Sequence, residues 1–165
     1  MPPRFVADCM VGRLAKWLRA FGFDVIYHPF AEDSQLLEWA RQRGAILLTR
    51  DTRMPRPPGV KVMLIEQDRV EDQVRQVVLE APIDLSKADP LSRCTVCNEP
   101  LVAVEKEAVR NRLPPHVCAT QEVFARCPGC GRVYWQGTHA GRIRERLARL
   151  AESLPACRSS SRGPG

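Results

Sequence analysis

The chain has 165 residues, 44% of them hydrophobic, and its 25 Lys and Arg against 19 Asp and Glu give a formal net charge of +6. That length suits one domain, or one domain carrying a small satellite, with enough apolar material for a core. No apolar run approaches the roughly 18 residues of a membrane span, and Asp8 and Arg13 interrupt the N-terminal stretch that a secretory signal would need, so a cytoplasmic protein is expected.

The first element is a short apolar run, Phe5-Val-Ala7, that ends on Asp8. In open α/β sheets ligands bind outside the carboxyl ends of the strands, so Asp8 stands where a divalent metal is expected. Val11, Leu14, Ala15 and Leu18 then recur at helical spacing, with Arg13, Lys16 and Arg19 on the opposite side facing an anionic substrate, and Gly22 stops the helix. The plainer reading of those cations is a solvated helix face.

Asp24 to Tyr27 reads as a second strand. Asp33 or Ser34 caps the next helix, whose buried stripe is Leu36, Leu37 and Ala40. Ala45-Ile-Leu-Leu-Thr49 is a continuous apolar run of the kind found in parallel sheets, and it ends on Arg50-Asp51. Two strands ending in aspartate place Asp8 and Asp51 on one edge of a parallel sheet, with Asp33 as a third carboxylate there. Carboxylates brought together call for a cation to neutralise them. A fourth strand, Val60 to Ile65, and a helix face of Val70, Val74, Val77 and Val78 complete an alternation that argues for an α/β layer. Pro82 to Pro90 reads as a linker.

The second half differs in charge. Residues 1–90 hold 13 basic and 13 acidic side chains, whereas residues 91–165 hold 12 and 6, so the whole excess lies there and suggests a polyanionic partner. Four of the seven cysteines form two pairs, Cys94-Thr-Val-Cys97 and Cys127-Pro-Gly-Cys130, enclosing 29 residues. Two such turns complete a tetrahedron around zinc, and the closed shell marks the ion as structural. Cys9, Cys118 and Cys157 are read as ordinary thiols, and His116 as surplus to a full shell. Leu101 to Val104, Glu122 to Ala125 and Arg132 to Trp135 are the expected strands of a zinc ribbon. A last helix follows, with Thr138 as its cap, Ile143, Leu147 and Leu150 on one face, and Arg142, Arg144, Arg146 and Arg149 making it basic. Trp135, His139 and Arg142 suit base stacking and phosphate contacts.

Taken together, Phe5-Val-Ala-Asp8, Gly12-Arg-Leu-Ala-Lys-Trp-Leu-Arg19, Gly22-Phe-Asp24, Leu47-Leu-Thr-Arg-Asp51, both cysteine pairs and Val133-Tyr-Trp-Gln-Gly-Thr-His139 resemble the C-terminal RNase domain of mutator-seven proteins. That resemblance implies a PIN-like three-layer α/β/α fold with a mostly parallel sheet, an added zinc ribbon built on four cysteines and a C-terminal basic helix. The expected units are a core at 1–90, the ribbon at 91–137, a helix at 138–154 packing back on core or ribbon, and a disordered tail at 155–165. The resemblance also implies metal-dependent cleavage of single-stranded or structured RNA, tRNA and rRNA among the candidates. Asp8, Asp33 and Asp51 fall at its acidic ligand positions for Mg²⁺ or Mn²⁺, and Arg50 beside them joins the substrate contacts. Glu66 and Asp68 compete for a fourth acidic position, and one metal or two remain open. The alternatives are a non-catalytic RNA- or ribosome-binding module and a protein-interaction adaptor.

Overall fold

Four short apolar runs become the strands of one parallel sheet. In the computed structural model, which describes residues 2–154, β1 (Phe5–Ala7), β2 (Val25–Tyr27), β3 (Ile46–Thr49) and β4 (Lys61–Leu64) lie in the order β2-β1-β3-β4. Ala7 sits beside Tyr27 on one side and Leu48 on the other, and Thr49 sits beside Leu64. Successive strand side chains point to opposite faces, and this divides the core in two. Phe5, Ala7, Val25, Ile46, Leu48 and Met63 pack with α1 (Gly12–Ala20) and α3 (Val70–Glu80). Val6 and Leu47 pack on the other face with Leu36 and Ala40 of α2 (Asp33–Arg43). The result is the expected α/β/α sandwich, and because both faces are covered the strands carry no polar alternation.

Two glycines let this layer close. A Cβ on Gly12 would stand 2.8 Å from the Tyr27 hydroxyl, and one on Gly22, which has a φ of +96°, would overlap the Asp89 carbonyl oxygen. Asp89 belongs to the segment expected to be a linker. It is instead a packed strap: Ile83, Leu85, Ala88 and Leu91 lie against the core, and the Leu91 amide donates to the Ala20 carbonyl at 2.9 Å. Its apolar residues are too irregularly spaced to announce a helix or a strand.

The second unit is a three-stranded antiparallel sheet of β5 (Val102–Val104), β6 (Phe124–Arg126) and β7 (Val133–Trp135) in that order. Two short helices that the sequence reading did not anticipate, α4 (Lys106–Val109) and α5 (Pro115–Thr120), fill the segment between β5 and β6. They supply Val109 and Val117 to a small core around Phe124, which Trp135 helps to cover. The final helix α6 (Thr138–Ser153) returns to the main core through Ile143, Leu147 and Leu150. Its Arg146 guanidinium lies 4.4 Å from the centre of the Trp17 ring and within 3.5 Å of Glu71. Two caps differ from expectation. Glu32 caps α2 through a reciprocal pairing with Gln35, leaving Asp33 as the first helical residue, and Gly137 rather than Thr138 precedes α6. The expectation for residues 155–165, Cys157 included, lies outside the described residues.

Candidate functional site

The thiols of Cys94, Cys97, Cys127 and Cys130 converge so that all four sulfurs lie within 4.8 Å of one another. The backbone arranges this locally. Asn98 N–H donates to the Cys94 carbonyl at 3.0 Å, and Gly131 N–H donates to the Cys127 carbonyl at 2.9 Å, so each pair closes a tight turn. Both turns end in a left-handed residue, Asn98 at φ +70° and Gly131 at φ +75°. A tetrahedral zinc site with Zn–S near 2.3 Å needs sulfurs ~3.8 Å apart, and the Cys94–Cys130 and Cys97–Cys127 separations are 3.6 and 3.1 Å. The cluster therefore fits a metal such as zinc. Burial pushes the Cys94 thiol up, but hydrogen bonds from the Tyr134 hydroxyl (3.1 Å) and the Cys97 and Val96 amides outweigh it, and Cys94 settles at about 6. Burial and the Cys127 contact push Cys97 up to about 12.

This cluster is tied to the α/β core by residues whose role the sequence reading missed or misassigned. Arg19 was expected on a substrate-facing surface; it is 5% exposed and turned inward. Its guanidinium donates to the carbonyls of Val25 (2.9 Å), Thr95 (3.3 Å) and Val96 (2.9 Å), clamping the first cysteine turn to β2. Burial lowers its pKa, opposed by the neighbouring Cys94 and Cys97. The formal charge of −2 on a zinc tetrathiolate would suit the buried cation. Asn98 completes the joint: its side-chain carbonyl accepts from Val25 N–H at 2.9 Å, and its amide donates to Asp24 at 2.7 Å. Asn tolerates the left-handed region that Gly131 occupies in the other turn, and unlike Gly it brings a side chain with which to bond. Arg4 and Arg43 approach the same Asp24 at 3.9 and 3.4 Å.

At the carboxyl edge of the parallel sheet, Asp8 is 4% exposed. One carboxylate oxygen accepts from Met10 N–H at 2.8 Å, and the other accepts a short hydrogen bond from the Thr49 hydroxyl. The Thr49 oxygen in turn accepts from Asp51 N–H at 3.0 Å, so one hydroxyl links the two strand ends. Among the described residues no ion pair includes Asp8. Burying an uncompensated carboxylate is costly, and a hard cation would relieve that cost. Among the described residues the four cysteines are the one group of three or more such side chains placed to surround an ion. Asp33 starts α2 on an exposed stretch, held there by the Glu32 cap. The Asp51 carboxylate accepts from Arg53 N–H at 2.8 Å. Mg²⁺ typically keeps several waters and uses one or two carboxylates together with substrate phosphates.

Arg50 is paired on the turn after β4. Its guanidinium donates to the Gln67 carbonyl at 2.8 Å and to Asp68 at 2.7 Å, bracing the turn after β4. This pairing occupies Asp68, while Glu66 lines a groove with Lys61 and Glu80 along β4. Among the described residues neither belongs to a group of three or more side chains placed to surround an ion. The other expected cations do come together. Arg13 and Lys16 of α1 share a cleft of about 260 Å³ with Thr95 of the first cysteine turn and His139 of α6. Arg13, Lys16, His139 and, a turn beyond, Arg142 are exposed, whereas Trp135 is half-buried on the ribbon core.

The fold is thus an α/β domain with a buried carboxylate at the carboxyl edge of its parallel sheet and exposed cations on the helix that follows. The family is more particular: the model of the Mut7-C RNAse domain matches residues 3–147, and the chain belongs to that family. A match of that extent points to a nuclease or RNA-related role. No curated protein and no solved structure matches the chain. Among the described residues no helix is long and apolar enough to cross a membrane.

Proposed function

We propose that the protein is a metal-dependent endoribonuclease acting at the Asp8–Thr49–Asp51 edge, with zinc as a structural ion in the cysteine cluster. The observation that carries this reading is Asp8, a buried carboxylate at a sheet's carboxyl edge that has hydrogen bonds but no cationic partner among the described residues. Asp8 and Asp51 would hold Mg²⁺ or Mn²⁺, and such an ion, when bound, acidifies water and offsets charge on the scissile phosphate. Thr49 fixes the Asp8 carboxylate through one oxygen and the Asp51 backbone through its own lone pair, so the two strand ends keep one geometry. Asp33 adds negative charge at the rim. Arg13 and Lys16 bind backbone phosphates, and His139 and Arg142 extend that path onto α6, with Trp135 available at its edge. The substrate is RNA, tRNA and rRNA being the first to try, and the cytoplasm is the proposed compartment.

The test is cleavage of labelled RNA by fully purified protein in Mn²⁺, comparing wild type with Asp8→Asn and Asp51→Asn. The reading expects both variants to lose at least roughly a hundredfold in rate, as when a transition-state charge stabiliser is removed. Equal cleavage by all three would assign the activity elsewhere. A second reading, a non-catalytic RNA-binding module, draws on the absence of a three-carboxylate group among the described residues. It expects RNA binding that survives EDTA and both substitutions, with no turnover in any metal.

A further inference from the structure

β2 runs parallel to β1 with Tyr27 beside Ala7, so the residues after Tyr27 leave the sheet at the edge that carries Asp8. They are His28, Pro29 and Phe30, and Phe30 is 85% exposed. A phenylalanine ring left in water forgoes the stabilisation that burial would bring. Its neighbour is an imidazole. The ring lies 6.1 Å from the His28 imidazole, edge to face at 69°, and the Phe30 N–H donates to His28 Nδ1 at 3.3 Å. Neither of the two buried clusters that flank the sheet takes it in. Beyond it come Glu32 and Asp33, both exposed. Those carboxylates repel phosphate, so what suits Phe30 is an uncharged flat partner.

Resting on the RNA reading above, we infer that the His28–Phe30 pair is a stacking platform for one unpaired nucleobase beside the acidic edge, and that the RNA is single-stranded where it is cut. Aromatic side chains stack any base, because every base has a π-face. A duplex keeps those faces stacked on one another and offers none to Phe30. The division of charge agrees with this. On the β2 side of Asp8 the loop offers an aromatic face and carboxylates, suited to a base. On the α1 side Arg13 and Lys16 offer cations, suited to the phosphates on either side of it.

The experiment is fluorescence anisotropy on the full zinc-loaded chain, with Ca²⁺ in place of Mg²⁺ to suppress cleavage. The probes are a fluorescein-labelled single-stranded oligoribonucleotide and the same strand in a duplex. Phe30→Ala is expected to weaken single-strand binding by about 5-fold to 150-fold, the range expected for loss of one stacked base. Duplex binding should not change, and Phe30→Tyr should restore the single-strand affinity. Because Phe30 is exposed, the melting temperature of Phe30→Ala should match wild type. Unchanged single-strand affinity in Phe30→Ala, together with a loss in Arg13→Ala/Lys16→Ala, overturns the platform and leaves the RNA reading standing; the ring would then face another contact, such as a protein. Equal losses on single strand and duplex also overturn it. If wild type binds neither form, the platform and the reading beneath it fall together.

Discussion

The cysteine cluster and the acidic edge are built in different ways, one from local turns and the other from strand pairing. Each pair of cysteines is brought together by a four-residue turn, so the backbone alone points two sulfurs the same way, and only one tertiary step unites the pairs. The carboxylates depend on strand order. Asp8 is joined to the Asp51 backbone because β1 pairs with β3, and the link runs through one threonine hydroxyl. The cluster is arranged by local chain geometry and suits a permanent ion. The edge is arranged by the fold, and the ion proposed there would be one that comes with its phosphate.

The largest way to break this contrast is to remove a thiolate. Structural zinc in small domains contributes about 10–16 kcal/mol of apparent folding free energy, so Cys127→Ser should lose the ion and unfold the ribbon, read as zinc content and circular dichroism. Because Arg19 and Asn98 join that unit to β2, the core's melting temperature should fall as well. A core that melts as in wild type would show the two units to be independent.

Arg19→Ala sharpens the same point from the other side. Hydrogen bonds from charged groups contribute about 1.5–3 kcal/mol each and are not additive, so a loss of roughly 3 kcal/mol is expected in denaturant melts. Zinc should also leave faster to a competing chelator. The salt dependence of RNA binding should stay as it was, which separates Arg19 from the exposed cations of the same helix.

A smaller effect concerns pH. Cys94 ionises at about 6 instead of 9.0. Its contribution to the metal-free fold is therefore full above about pH 9 and lost as pH falls through about 6. Tyr134→Phe removes a hydrogen bond that favours the thiolate, so Cys94 moves up and protons compete with zinc sooner. Zinc release followed by a colorimetric chelator should then begin at a higher pH than in wild type. Release at the same pH would mean that the hydroxyl does not act on the bound cluster. The smallest effect expected is from Arg13→Ala and Lys16→Ala, each reducing the slope of log affinity against log salt by about 0.7 on single-stranded RNA.

How far the sequence alone reached follows the same contrast. Short apolar runs and helical spacing sufficed for the α/β layer, because strands buried on both faces leave continuous apolar stretches such as Ile46-Leu-Leu-Thr49. The thiolates were legible from their spacing. Arg19 was not, because a cation at helical spacing with Arg13 and Lys16 looks solvated until the carbonyls of Thr95 and Val96, far along the chain, come to meet it. The caps of α2 and α6 were off by one residue for a similar reason, since Glu32 works through a partner three residues away. Asp33 joins Asp8 and Asp51 on chain order alone, and in the fold it stands at the first position of α2 behind the Glu32 cap. Thr49 stood inside a quoted motif without a role, because a hydroxyl's partner is set by strand pairing.

The central claim is that a hard cation binds at Asp8 and Asp51, apart from the thiolate cluster. The most direct test is Mn²⁺ titration of zinc-loaded protein by electron paramagnetic resonance, in the presence of an uncleavable RNA analogue. The account predicts Mn²⁺ binding by wild type that Asp8→Asn abolishes while keeping its zinc and its melting temperature. Mn²⁺ bound equally well by Asp8→Asn would contradict it.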